Sequence, residues 1–174
     1  MAVETRTLIP VEEYLHTSYS PDCDFVDGEV LERNVGEHDH ADLQSEIVTY
    51  FRTRYRKAGF SAVVEQRVQV SPTRFRIPDV RVARAERPME QIYRKPPLIV
   101  IEILSPEDRV SVLRKKVDDY LAFGVPNIWV IDPKERHAFI CSRQGWVESA
   151  DLVLRTTDGA IVLPLPEIFQ ALDQ

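Results

Sequence analysis

The chain has 174 residues, of which 44% are hydrophobic and 29% charged, a composition that suits one globular domain spanning residues 1–174. Its two separate cysteines, Cys23 and Cys141, argue against a disulfide framework or a zinc site, and its net charge of −6 argues at first sight against a nucleic-acid-binding protein. Because residues 1–10 lack the pattern of a secretory signal and no apolar run approaches the about 20 residues that cross a bilayer, we expect a cytoplasmic protein with no membrane contact.

Short periodic segments fill the first half of the chain. Its predicted elements are a helical turn at 11–15, a β-hairpin at 25–31, an amphipathic helix from about 38 to 58, and strands at 62–70 and 75–83. The hairpin prediction depends on Asp27-Gly28, which stands between two alternating apolar arms. The helix prediction depends on apolar residues at helical spacing, such as Leu43 and Ile47, and Gly59 ends the pattern.

The second half contains a strongly apolar strand and a second helix. Its predicted elements are strands at 98–104 and 127–132, a helix at 109–123, shorter strands at 138–142, 145–147 and 161–163, and a helical turn near 168. Segment 98–104 is nearly all apolar, as expected of a strand covered on both faces, and Glu102 is its one charged residue. The order helix, strands, helix, strand predicts an α/β (α+β) fold in which helices flank a central mixed sheet.

The charges are distributed unevenly along the chain. Residues 52–116 contain 16 Lys+Arg and 7 Asp+Glu, residues 1–51 contain 2 and 12, and residues 117–174 contain 4 and 9. A basic middle segment favours a surface for a polyanion, with Arg67, Arg74, Arg76 and Arg81 as contacts to a phosphate backbone. The alternative is that these arginines pair with the acidic flanks or only keep the surface soluble, and the charge count leaves both interpretations open.

Two carboxylates stand in neighbouring predicted strands. Glu102 lies in an otherwise apolar strand, where an unpaired charge is expensive to bury, and Asp79 follows Pro78 in the preceding strand. An arginine would compensate such carboxylates, and so would a divalent cation, because two converging carboxylates make a hard oxygen site suited to Mg²⁺ or Mn²⁺. A metal ion there lowers the pKa of a bound water and shields charge on a phosphodiester, while a nearby lysine stabilises the transition state.

These residues also belong to a longer set of matching positions. The set comprises Pro78-Asp79, Glu102 through Pro106, Asp108, Lys116, Tyr120, Gly124-Val125 and Trp129 through Pro133, with the hairpin at 25–29 and His40. In this set the chain resembles the Uma-two family of endonucleases, which lies within the PD-(D/E)xK, or restriction-endonuclease-like, superfamily. The resemblance covers residues from about 11 to 133, with 134–174 as a β-rich C-terminal extension. It implies a central mixed sheet with an αβββαβ core and metal-dependent cleavage of DNA.

The resemblance also implies where the catalytic lysine stands. The superfamily usually places it two residues after the second carboxylate, a position that is Leu104 here. The Uma-two family generally moves the lysine to the following helix, where Lys115 and Lys116 are the candidates. At about 100° per residue, Lys116 borders the apolar face of that helix and Lys115 points to solvent, so we predict Lys116. Val112, one turn earlier, departs from relatives that often carry an aspartate there.

Four further residues are candidates for the same site. The superfamily completes the metal shell with a peptide oxygen, which here would come from Ile103. His40 lies on the apolar side of the first long helix, either as a packed core histidine or as an active-site neighbour. Glu46, at the border of that apolar face, and Glu29, beside the Asp-Gly turn, are either contacts to metal-bound water or solvated surface carboxylates.

Together these residues predict an endonuclease that hydrolyses DNA phosphodiester bonds with Mg²⁺ (or Mn²⁺). Asp79 and Glu102 would bind the ion, and Lys116 would orient the attacking water. A domain of this size would cut both strands most simply as a homodimer. Two alternatives stay open: a catalytically silent nuclease fold that serves as a binding or regulatory module, and an enzyme that acts on RNA or a small nucleotide.

Overall fold

The computed structural model describes residues 7–34 and 36–174. Within them the helices are α1 (Val11–His16), α2 (His38–Tyr55), α3 (Val110–Phe123) and α4 (Leu165–Phe169), followed by a 3₁₀ helix at Gln170–Asp173. The strands are β1 (Asp24–Val26), β2 (Glu29–Leu31), β3 (Phe60–Val64), β4 (Val68–Ser71), β5 (Arg74–Arg76), β6 (Val80–Arg84), β7 (Ile99–Ile103), β8 (Asn127–Asp132), β9 (His137–Ser142), β10 (Gly145–Glu148), β11 (Val153–Arg155) and β12 (Val162–Pro164). In this part of the chain no helix combines the length and apolarity needed to cross a membrane.

The central element is a six-stranded mixed sheet with the strand order β10-β9-β8-β7-β6-β3. Strands β7 and β8 are parallel, and the other neighbours in this sheet are antiparallel. Helix α3 connects β7 to β8, because parallel strands need a long crossover rather than a tight turn. Elements α2, β3, β6, β7, α3 and β8 therefore form the predicted αβββαβ core.

Strand β7 separates two apolar layers. Ile99, Ile101 and Ile103 pack in the layer that contains the buried residues of α2. Val100 packs in the layer that contains the buried residues of α3. Strand β7 is thus covered on both faces, as predicted. Since side chains alternate along a strand, Glu102 shares the face of Val100 and points toward α3.

Two strands that we predicted as continuous are each divided, so both of those predictions are wrong. Segment 62–70 breaks between β3 and β4, where Glu65 has a left-handed φ of 50°. Segment 75–83 breaks between β5 and β6 around Pro78, which lacks the N–H that a continuing ladder needs. Strands β4 and β5 instead join β1 and β2 in a separate sheet with the order β2-β1-β5-β4. Asp79 therefore stands at the junction of the two sheets.

Residues 134–174 complete the main sheet and its core. Strands β9 and β10 add to one edge of the six-stranded sheet, and β11 pairs with β12 in a two-stranded sheet. Leu163, Ile168 and Phe169 pack in the same apolar layer as Ile47 of α2. The segment thus contributes to the core that positions α2.

Candidate active site

One cleft of about 580 Å³ collects the three residues that the sequence predicts as the chemical centre. Asp79 immediately precedes β6, Glu102 lies on β7 and Lys116 lies on α3, and all three are buried residues that line this cleft. The fold brings them together because β6 and β7 are antiparallel neighbours, while α3 covers the face of β7 that carries Glu102.

Both oxygens of Glu102 accept a hydrogen bond from α3. Lys116 Nζ donates to Oε2 at 2.8 Å, and the Tyr120 hydroxyl donates to Oε1 at 2.8 Å. Burial raises the pKa of Glu102 to about 7, although the charge of Lys116 acts in the opposite direction. Glu102 is therefore a carboxylate that changes its protonation close to neutral pH.

Lys116 contacts the sheet at two points. Besides its bond to Glu102, its ammonium group donates to the backbone carbonyl of Ile77 at 2.8 Å. Burial alone would lower the pKa of Lys116, but the negative charges of Glu102 and two nearby aspartates outweigh that effect and raise it. Lys116 is therefore a cation at neutral pH. Lys115 is exposed, so the prediction that Lys116 rather than Lys115 faces the interior is confirmed.

Asp79 binds three donors from different parts of the chain. Its Oδ1 accepts a hydrogen bond from Arg33 at 3.0 Å, while its Oδ2 accepts the Ile103 N–H at 2.7 Å and lies 3.3 Å from His40 Nε2. Burial alone would raise the pKa of Asp79, but His40, Lys116 and the Ile103 N–H together lower it. Because the N–H and C=O of one strand residue point to the same side, the Ile103 carbonyl also faces the Asp79 side of β7.

Two of the contacts to Asp79 were missing from the sequence prediction. Arg33, between β2 and α2, binds its carboxylate, and Gln44 of α2 donates to its backbone carbonyl at 2.9 Å. The sequence does contain a hint that Arg33 is special, since it is one of only two Lys or Arg residues in the acidic segment 1–51. Gln44 stands four residues after His40, a spacing that places both on one helix face.

His40, Glu46 and Glu29 have different surroundings. His40 is buried and lines the cleft. Burial lowers the pKa of His40, but its contact with Asp79 raises it by more. Glu46 and Glu29 are half-buried and lie outside the cleft lining. Their role as contacts to metal-bound water stays a prediction.

Three of the four arginines predicted as phosphate contacts pair with carboxylates from the acidic flanks, while Arg81 donates to Gln66. The pairs are Arg67–Asp22 (3.4 Å), Arg74–Asp27 (2.5 Å), Arg74–Asp119 (2.6 Å), Arg76–Asp24 (3.1 Å) and Arg76–Asp119 (2.6 Å). We call Arg74, Arg76, Asp24, Asp27 and Asp119 the Asp119 network. Arg76 is only 3% exposed, and its guanidinium binds the carboxylates of Asp24 and Asp119. Phosphate binding by the three arginines stays a prediction.

The chain matches known proteins over nearly its full length. Among solved structures it is similar to a crystal structure from Anabaena variabilis, described as a putative nuclease belonging to DUF820, with 24% identity and a TM-score of 0.81. The match covers 94% of this chain and 99% of that chain, and it shows a shared restriction-endonuclease-like fold. No curated protein matches the chain. The family model Uma2, described as "Putative restriction endonuclease", matches residues 11–172, so the predicted resemblance is confirmed and the chain belongs to the Uma2 family.

Proposed function

We propose that this protein is a metal-dependent endonuclease that hydrolyses phosphodiester bonds in DNA. The main observation in support is that Asp79, Glu102 and Lys116 are buried together at one open cleft. Buried ionisable groups with a pKa close to neutral are concentrated at functional sites, and Glu102 is such a group. Membership in a family described as restriction endonucleases supports the same reaction.

The donor atoms around the two carboxylates fit a hard divalent cation. Asp79, Glu102 and the carbonyl of Ile103 all offer oxygen. Over residues 7–34 and 36–174, no group of three or more His, Cys, Asp or Glu side chains is arranged to bind a metal ion. Mg²⁺ suits a site with fewer side chains, because it binds through one or two carboxylates and keeps several water ligands. We therefore propose these three residues as ligands of Mg²⁺ or Mn²⁺.

Each residue has its own task in the proposed reaction. When bound, the metal ion would lower the pKa of the attacking water and offset charge on the phosphate. Lys116, kept protonated by Glu102, would donate hydrogen bonds to that water or to the phosphate oxygens. Tyr120 orients Glu102 by donating to its second oxygen. Arg109 lines the same cleft and would contact a neighbouring phosphate of the DNA backbone.

The position of Arg33 favours a second candidate function. Its guanidinium already neutralises Asp79, as a metal ion would, so the site is charge-compensated without an ion. Val112, which is 54% exposed and lines the cleft, adds no carboxylate there. A silent nuclease fold that serves as a binding or regulatory module would have these features.

Mn²⁺ binding separates the two candidates. We would titrate Mn²⁺ into wild type, Asp79→Asn and Asp118→Asn by calorimetry, and then measure nicking of plasmid DNA and cleavage of labelled RNA on the same samples. The endonuclease proposal expects Asp79→Asn to lose Mn²⁺ binding and nicking together. The matched control Asp118→Asn changes an exposed aspartate of α3 outside the cleft lining and should retain both. Wild-type protein that neither binds Mn²⁺ nor cleaves nucleic acid would establish the silent module instead.

A homodimer is part of the proposal, because one active site hydrolyses one strand at a time. Two copies on one duplex would place a site at each strand. Sedimentation with and without duplex DNA tests this, and a monomer in both conditions would reject it.

A further inference from the structure

A second cavity, outside the candidate active site, is rich in guanidinium groups. Its volume is about 240 Å³, and it is formed by the end of β6 and the segment that follows this strand. The residues that matter here are Arg81, Arg84, Arg87, Met89, Tyr93 and Lys95. We call it the Arg81 cavity.

Arg81 is a buried cation without a carboxylate partner in the described part of the chain. It is 1% exposed, and its Nε and Nη2 both donate to the neutral Gln66 Oε1, with a distance of 2.9 Å for Nε. Its guanidinium stacks on the Tyr93 ring, 4.4 Å from the ring centroid. Arg33 and Arg76, in contrast, each bind carboxylates. A buried charge without a counter-ion is unfavourable, so the surroundings of Arg81 favour the binding of an anion.

Part of the Arg81 guanidinium remains available to a ligand. A guanidinium has five N–H donors, and Gln66 accepts from only two of its nitrogens. Among the described residues, the fully buried side-chain atoms without a hydrogen-bond partner are Ser61 Oγ and Trp129 Nε1. Arg81 Nη1 has no such partner and is not one of these fully buried atoms, so this nitrogen keeps some accessible surface in a residue that lines the cavity.

The rest of the cavity wall does not supply the missing negative charge. Its two carboxylates are Glu86, which pairs with Lys95 at 2.5 Å, and Glu90, which accepts a backbone N–H at 3.2 Å. Arg84 donates to the Ala58 carbonyl at 3.1 Å and stacks on the Phe60 ring, whereas the exposed Arg87 has no carboxylate partner within residues 7–34 and 36–174. The cavity therefore presents more positive than negative charge.

We propose that the Arg81 cavity binds a phosphate group. Phosphate oxygens would accept the free N–H donors of Arg81, and the exposed side chain of Arg87 would close on the same group. Tyr93 and Met89 form an apolar wall beside them, which suits a sugar or base attached to the phosphate.

Two sources of that phosphate share this chemistry. Arg81 is two residues after Asp79, a separation of about 7 Å along an extended chain, so a nucleic-acid backbone in the cleft could continue into the cavity. That source rests on the proposed nuclease function. A free nucleotide or inorganic phosphate is the other source and does not depend on it.

Inorganic phosphate is the first probe. We would titrate it into ¹⁵N-labelled protein and follow the arginine Nε–H resonances together with the backbone amides of residues 84–95. The proposal expects a saturable shift of the Arg81 Nε–H signal and an apparent Kd at least about fivefold weaker in Arg87→Ala. Arg143→Ala, a matched loss of one exposed arginine in the turn between β9 and β10, should leave the Kd unchanged.

The choice of Arg87 keeps this test independent of folding, because Arg87 is exposed whereas Arg81→Gln removes a buried side chain. No saturable shift in wild type, or the same Kd in Arg87→Ala as in wild type, would overturn the phosphate site.

A labelled DNA duplex in EDTA then distinguishes the two sources. If the nucleic-acid backbone occupies the cavity, Arg87→Ala should weaken duplex binding about tenfold. It should also reduce the slope of log Kd against log salt concentration by about one, while Arg143→Ala should have less effect on both. If a free nucleotide occupies it, duplex binding should stay unchanged while phosphate binding weakens. Both results support the phosphate site, and neither depends on Mn²⁺ binding or nicking. A failure of the nuclease proposal can therefore be distinguished from a failure of the phosphate site.

Discussion

Two groups of charged side chains lie next to each other around Pro78, and they differ in how their charges are balanced. In the Asp119 network, whose arginines both precede Pro78 in the chain, two arginines meet three carboxylates at 2.5 to 3.1 Å. Every guanidinium nitrogen there contacts a carboxylate and every carboxylate contacts a guanidinium, which makes the network a structural clamp between β1, β5 and α3.

In the candidate active site, after Pro78, the balance is looser. Glu102 has one cation and one hydroxyl, and its pKa is about 7 because burial disfavours its charge. In the Asp119 network, in contrast, the hydrogen bonds of Arg74 lower the pKa of Asp27, and those of Asp27 and Asp119 raise the pKa of Arg74, so Asp27 and Arg74 both stay charged at neutral pH. Charge pairs alone therefore do not identify an active site; a buried carboxylate with a pKa near neutral at an open cleft does.

The two groups meet at Ile77, and Asp24 and Arg76 of the network also line the cleft of the candidate active site. The Ile77 N–H donates to Asp24 of the Asp119 network at 3.0 Å, while the Ile77 carbonyl accepts from Lys116 at 2.8 Å. The network thus positions the Ile77 carbonyl that accepts the hydrogen bond of Lys116. The substitutions below separate the two groups by their effects on activity and on stability.

Glu102→Gln should have the largest effect on activity. The neutral amide is a poor ligand for a divalent ion, so we expect the rate of plasmid nicking to fall by about 10³-fold or more. The free energy of unfolding should fall by about 1 to 2 kcal/mol, because Lys116 and Tyr120 donate to different oxygens and the amide keeps an acceptor for only one of them. Nicking assays and urea denaturation on one preparation measure both. Nicking at the wild-type rate would remove Glu102 from the site.

Arg76→Met should have the largest effect on stability. It leaves Asp24 and Asp119 buried with less compensation, so we expect the free energy of unfolding to fall by about 3 kcal/mol. Arg74→Met is the matched control, because the Arg74 side chain is 39% exposed, and it should cost about 1 kcal/mol or less. Urea denaturation measures both. Equal losses in the two variants would contradict the clamp.

Lys116→Met should lower the nicking rate by about 10²-fold while Mn²⁺ still binds, because the lysine acts on water or phosphate rather than on the ion. Lys115→Met removes the same charge one residue earlier, from an exposed position, and should change the rate by less than about twofold. Single-turnover nicking at saturating Mn²⁺ compares them. A similar loss in both variants would mean that general positive charge, rather than the position of Lys116, matters.

The pH dependence of Mn²⁺ binding should show the smallest effect. Ion binding needs the Glu102 carboxylate, and the pKa of this group in the free protein is raised to about 7. Affinity should therefore fall by up to about tenfold per pH unit below about 7 and level off above it. In Lys116→Met the midpoint should move to higher pH, because Lys116 lowers the pKa of Glu102. Calorimetry across this range tests both; a flat profile near pH 7 would contradict the role of Glu102.

Local periodicity was enough to predict the elements that carry the site. The run around Glu102 is a strand with both faces covered, and its alternation places Glu102 opposite Ile101 and Ile103. The helical period likewise separates Lys116 from Lys115. These predictions succeeded because the directions of side chains follow from backbone geometry within a few residues.

Long-range packing decided the rest. Whether 75–83 stays one strand depended on which sheet each half joins, and Pro78 is where they part. Arg33 reaches Asp79 across 46 residues, and Asp24 reaches Arg76 across 52, so neither pairing has a local signature.

The sequence by itself therefore determined which faces of β7 and α3 point to the interior and that Asp79, Glu102 and Lys116 stand on elements able to meet. Only the tertiary structure decided which charges compensate one another, and that Arg81 is buried without a carboxylate among the described residues. The physical reason is that the burial of an apolar face follows local pattern, whereas the burial and the partner of a charged side chain are set by the order in which strands and helices pack.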